Sequence, residues 1–215
     1  MAESMKIAGY SAVALTLPTG LLQDRVVFIR HIFTSAGIET VLRTDLAPTS
    51  RTELLRLLRR YRSLCDVVAV KCTNEATARV ACRDRRVDVV FFDPRNHKVR
   101  FNHSLAGLLR GAVEFNLIAA LQGQTNSNFI SRTSKEMGIS SEHKNRVVLS
   151  SGCTSPEMTR APSQIAAIAD ALGLSLEQSR LGVSKVPEGI ILRNLDRRSR
   201  EYIEEGVKVI LSKAR

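Results

Sequence analysis

The chain contains no tryptophan, and aromatic residues make up only 5% of it. Proteins that grip single-stranded nucleic acid by base stacking need more rings than this, so recognition of backbone and shape is favoured instead. Cysteine is also sparse. Cys65, Cys72, Cys82 and Cys153 include no pair at the short spacing of a zinc site. The first three sit in apolar segments, where thiols act as small core residues, and a reducing, cytoplasmic setting is expected. His31, His97, His103 and His143 are isolated, with no H-x-H or H-E-x-x-H pairing. A metal-dependent barrel hydrolase needs several histidines and carboxylates converging on its ions, and this chain offers at most Asp45, Asp93 and His97. A G-x-G-x-x-G turn and a G-x-S-x-G elbow are both missing. No apolar run approaches the roughly 18 residues of a membrane span, and the N-terminus reads as a first strand rather than a signal peptide.

Basic charge is abundant. Lysine and arginine total 32 against 21 acids, a net charge of +11 with a pI near 10.1. Arginine supplies 24 of the 32. Its planar fork grips phosphate in two places, so the bias suits RNA or DNA, although a GC-rich genome also favours arginine codons. The charge is spread along the chain, which implies a folded basic surface rather than a disordered arm.

Apolar runs alternate with amphipathic stretches throughout. Lys6 to Leu15 reads as a first strand. A helix with Leu22, Val26, Ile29 and Phe33 on one face follows and closes at Gly37. "IETVLR" reads as strand two. "SRTELLRLLRRYRS" is a helix with Leu54, Leu57, Leu58 and Tyr61 inward and Arg56, Arg59 and Arg60 opposite. "DVVAVKC" is strand three, and Asn74 caps a helix to about Arg85. "VDVVFF", "AVEFNL" and "RVVLSS" are strands four, five and six. A polar loop and a short helix follow strand four. A long, partly helical connection to about Asn145 follows strand five. After strand six come a helix from Pro162 to Leu172, a second opened by Ser175 with Gln178, and a third with Pro187 in its first turn. "GVKVIL" is a last short strand or a docked tail.

Six strands alternating with helices predict a parallel sheet with helices outside. Without a Gly-rich turn, the expected fold is a TIM-like (β/α) barrel, one domain over 1–215. At 215 residues it falls short of the roughly 250 typical of eight units, so it is incomplete or irregular where strand seven would stand. Reactive groups of such barrels follow the strand ends, which here carry Arg43, Asp45, Lys71, Asp93, Arg95, Asn116, Ser150, Ser151 and Cys153. Small residues at the end of strand six more readily let the backbone turn closely into a helix than act as nucleophiles.

The stretch from Val147 to Asn194 resembles a known family, the archaeal ribonuclease P protein component 3, homologous to the thirty-kilodalton subunit of the eukaryotic enzyme. "VVLSSGC" resembles that family's strand ending in a small-residue turn. "RAPSQIAAIADALGL" is similar to its R-x-P-x-[DE]-[LI] helix, and "VPEGIILRN" to its P-x-x-I-[LI]-x-R-N segment. "VDVVFFDPR" and "AVEFNL" match more loosely. Gln164 stands where the family often has an acid, and Cys153 where it often has alanine. The family is related to the polymerase-and-histidinol-phosphatase barrels, whose first strand carries H-x-H. Here "IAGYSAVA" stands in that place.

The resemblance implies a ribonuclease P subunit that binds and supports the catalytic RNA as it removes the 5′ leader of precursor tRNA. A free-standing metal-dependent phosphoesterase is the rival. The implied partners are the ribonuclease P RNA, protein component 2, the other protein subunits and, indirectly, precursor tRNA, with no membrane. Magnesium is expected on the RNA, with no cofactor, metal site or catalytic residue in this chain. By their positions at strand ends, along one helical row and in polar connections, Arg95, Arg100, Arg132, Arg160, Lys185, Arg193 and Arg197 are the expected RNA contacts.

Overall fold

The central strands of the sheet hide both faces, and each face is covered differently. The computed structural model describes residues 1–16, 23–93, 98–117, 120, 127–199, 202–204 and 207–208. Six strands lie side by side in chain order, all parallel: β1 (Ala12–Thr16), β2 (Glu39–Leu46), β3 (Val67–Cys72), β4 (Val89–Phe92), β5 (Ala112–Asn116) and β6 (Arg146–Ser150). The sheet curls into a half-barrel with helices around it, the incomplete TIM-like fold expected from the alternation.

The outer face is packed by helices in the usual barrel manner. β3 directs Val68, Val70 and Cys72 outward. They join Leu54 and Leu58 of α3 (Arg51–Tyr61) and Ala78, Ala81 and Cys82 of α4 (Glu75–Arg83). Ser50 and Asn74 cap these helices by accepting from the Glu53 and Thr77 amides. The same cluster takes in Leu105 of α5 (His103–Ala106), Met137 of α6 (Ser127–Glu142), and Ile165 and Ala169 of α7 (Pro162–Ala171).

The inner face is the departure from a closed barrel. Val41, Val67, Ala69, Val89, Ala112 and Val148 point inward and form a second core. Where strands seven and eight would roll up to cover it, α9 (Lys185–Asp196) lies in the concavity, with Ile190 buried and Val186 and Ile191 partly buried against the strands. α8 (Leu176–Gly182) presses close to β6. A Cβ at Gly182 would come within 3.0 Å of Leu149 Cγ and 3.2 Å of the Val147 carbonyl. After the barrel, β7 (Tyr202–Glu204) and β8 (Val207–Lys208) pair antiparallel in a separate sheet, so the expected terminal strand is a short hairpin rung.

The first predicted strand is shorter than expected. Ala2–Ile7 is a helix, α1, a turn passes through Gly9 at φ 92°, and β1 begins only at Ala12. "AESMKI" is made of helix formers, with an acid in the first turn and a lysine in the last. Ala2 and Met5 pack on Phe33 of α2 (Gln23–Ser35) and on Ile38, and this contact decides the segment.

Candidate functional site

The C-terminal ends of the strands bring together most of the polar residues picked out as strand-end groups. Arg43, inward on β2, meets Glu114 of β5 at 2.6 Å and Asp45 at 2.7 Å, with its guanidinium 5.7 Å from the Phe91 ring centre. Side-chain exposure is 11% for Arg43 and 3% for Glu114, so this ion pair fills the barrel's polar half. Burial pulls the Arg43 pKa down, but Glu114 and Asp45 outweigh it and hold the guanidinium above its ordinary value. Lys71 reaches Asp93 at 2.9 Å. These four strand-end charges are therefore spent on one another and on Glu114.

Beside them lies a cleft whose walls include Asp93, Arg100, Glu114, Asn116, Arg132 and Glu136. Glu136 sits on α6, inside the connection that reads as featureless polar sequence. Burial raises its carboxyl to about 7, against the opposing pull of Arg100 and Arg132. Arg100 and Arg132 thus share one cleft. Arg95 and His97 lie outside the described residues.

The loop after β6 is held by backbone geometry. Gly152 has φ 58°, and a Cβ there would stand 2.4 Å from the Asn116 amide nitrogen, so the turn requires glycine. Arg160 donates to the carbonyls of Glu157 and Thr159, both at 2.9 Å, and the Tyr10 hydroxyl donates to the Arg160 carbonyl at 3.0 Å. Burial, with Cys153 adding, pushes the Tyr10 phenol up to about 12. Gln164 Oε1 accepts the Ala161 amide at 3.0 Å, the bond an acid makes from that position.

The remaining candidates lie elsewhere. Lys185 opens α9 and pairs on the surface with Glu188 at 2.8 Å. Arg193 and Arg197 are at the far end of α9, against the N-terminal ends of the strands. There Asp88, fully buried, faces Arg62 at 2.5 Å and Arg193 at 3.3 Å and accepts the Val68 amide at 2.8 Å. Asp66 faces Arg30 at 3.1 Å and Arg198 at 2.5 Å and accepts the Leu42 amide at 2.7 Å. The six described cations among the seven expected to contact RNA are therefore not one surface: Arg100, Arg132 and Arg160 are at the mouth, and Arg193 and Arg197 are at the opposite end.

Among the described residues, no group of three or more histidine, cysteine or acidic side chains is arranged to hold a metal ion. No helix among them is long and apolar enough to cross a membrane.

Fold and site together define an incomplete TIM-like α/β barrel whose mouth is occupied by protein ion pairs. A family described as RNase P subunit p30 matches residues 1–199. The chain belongs to that family. It is 26% identical over 208 residues to ribonuclease P protein component 3 of Methanosarcina acetivorans, covering 94% of this chain and 84% of the relative. It is 30% identical over 177 residues to the same-named protein of Halorubrum lacusprofundi, covering 80% of this chain and 72% of that one. Its fold matches a chain in a cryo-EM structure of archaeal ribonuclease P with mature tRNA, with a TM-score of 0.85 at 15% identity, over 100% of this chain and 96% of the other. Nothing in these comparisons supports the free-standing phosphoesterase.

Proposed function

We propose that the chain serves ribonuclease P by binding and supporting its catalytic RNA while the RNA removes the 5′ leader of precursor tRNA. The observation that carries this reading is the mouth. Arg43, Asp45, Lys71 and Asp93, placed where a barrel enzyme keeps its reactive groups, are paired with one another and with Glu114. The net charge of +11 suits a partner made of phosphates. The magnesium ions of the reaction belong to the RNA, and this chain holds no cofactor. Its protein partners are component 2 and the other subunits, precursor tRNA is met indirectly, and the setting is cytoplasmic. Of the seven cations singled out from the sequence, Arg100 and Arg132 are the strongest candidates for phosphate contacts, since both line one cleft beside the mouth.

The test is reconstitution of the particle with a chain carrying Asp45→Ala and Asp93→Ala, at high magnesium. Cleavage is expected to stay within about tenfold of the parent. A loss beyond about a thousandfold, with the chain folded and assembled, places chemistry in this protein and overturns the reading.

A further inference from the structure

Charge is distributed unevenly between the two ends of the half-barrel. At the mouth, cations and carboxylates pair closely, as in Arg43 with Glu114 and Lys71 with Asp93. At the opposite end, helices return to the next strand through short connections, and those that follow α3, α4 and α5 carry arginine. α3 ends with Arg59 and Arg60, α4 ends with Arg83 and is followed by Arg85, Arg110 precedes β5, and Lys144 precedes β6. All six are exposed. None makes an ion pair among the described residues, and Arg60 rests on the Tyr61 ring at 5.4 Å.

These connections form one continuous rim. Arg62 donates to the Arg86 carbonyl at 3.2 Å, joining the end of α3 to the turn before β4. The Arg110 amide donates to the Cys82 carbonyl at 2.9 Å, and Arg146 donates to the Arg110 carbonyl at 2.5 Å. The nearby acids are already engaged. Asp66 and Asp88 are buried under four arginines, and Asp84 holds Arg86 at 2.6 Å. A cation at a helix C-terminus also complements the helix dipole, which accounts for about one per helix. Two at the end of α3, another just beyond α4 and two more before β5 and β6 exceed that need.

We infer that this rim at the N-terminal ends of the strands, rather than the barrel mouth, is the principal surface for the phosphate backbone of folded RNA. The inference rests on the RNA-support reading above and adds its location. Unpaired guanidinium groups in a row suit a phosphate backbone, and the rings near them are few among the described residues, Tyr61 half-covered and His143 set against His103 at 5.4 Å, so a double-stranded segment fits better than splayed bases.

The experiment compares two full-length variants with the same loss of charge. One carries Arg59→Gln, Arg60→Gln, Arg83→Gln and Arg85→Gln. The other carries Arg25→Gln, Arg51→Gln, Lys135→Gln and Arg180→Gln, exposed cations outside the rim. Binding to an RNA duplex of mixed sequence is measured across salt concentrations, with a thermal melt of each protein. The rim variant should lose about three units of salt slope, and the control one unit or less. A third variant with lysine at the four rim positions should keep most of the slope. Equal losses in the rim and control variants refute the location and leave RNA support standing. A parent chain that binds no duplex at low salt refutes both. Loss of binding to polyglutamate with duplex binding intact assigns the rim to an acidic protein and overturns the inference.

Discussion

Asp88→Ala should be among the most damaging single changes in this protein. The side chain is fully buried at the start of β4 and serves three partners: Arg62 at 2.5 Å, Arg193 at 3.3 Å and the Val68 amide at 2.8 Å. Truncation strands two guanidinium groups, each only 22% exposed, and leaves a buried amide without its acceptor. Removing one member of a buried ion pair costs about 3–5 kcal/mol, and an orphaned amide about 1–3. Arg62 also donates to the carbonyls of Arg86, Cys65 and Asp66, which keeps it partly satisfied. The sum therefore belongs near the lower end, about 4 kcal/mol. Asp88→Asn keeps an acceptor for Val68 and loses only the charge, so about half that cost is expected. Urea unfolding followed by circular dichroism measures both, with an unchanged m-value showing that the folded state is otherwise intact. A loss under about 1 kcal/mol for the alanine variant would refute the view that this carboxylate holds α9 to the sheet.

Two further predictions concern the outer core and the cleft. Ile165→Asp places a charge at a position 1% exposed, with Ala169 fully buried beside it, and should unfold the chain, seen as loss of the cooperative melt. Glu136 binds its proton more tightly in the folded state, at about 7 against an ordinary 4.5. Its stabilising effect is therefore complete below pH 4.5 and lost as pH rises through 7, a fall on the order of 3 kcal/mol, and Glu136→Gln should remove that slope from urea midpoints measured between pH 5 and 8.

Much of the fold is legible in the residues because both periodicities are plain. Leu54 and Leu58 at helical spacing, and "VVAVKC" without a polar face, each admit one reading, and both segments fold accordingly. Ile165 and Ala169 of α7, with Leu172 at its end, are buried, while Ile168 is only partly covered. The placement of α9 is not legible. Val186, Ile190 and Ile191 look like the stripe of one more outer helix, and only the second apolar face of the sheet shows where it must go. The site divides in the same way. Strand ends can be counted along the chain, so Arg43, Lys71 and Asp93 are found. The pairing of Arg43 with Glu114, like that of Asp88 with Arg193, joins residues far apart in sequence and depends on strand register. Glu136 was missed because a carboxylate in a polar helix carries no mark until a neighbouring loop buries it.

The helix inside the half-barrel also sets a sequence of events during synthesis. As the chain leaves the ribosome, β2 to β6 can pair and receive α3 to α7 on their outer side, each in turn. The concave side has no such local partner. Val41, Val67, Ala69, Val89, Ala112 and Val148 stay wet until residues 185–196 emerge, on the order of ten seconds after β3 at ordinary elongation rates. Throughout that interval the nascent protein presents a greasy hollow of the kind chaperones hold. Its final act of folding is the swallowing of a helix, fastened at the base by Arg193 on Asp88 and Asn194 on the Asp66 carbonyl.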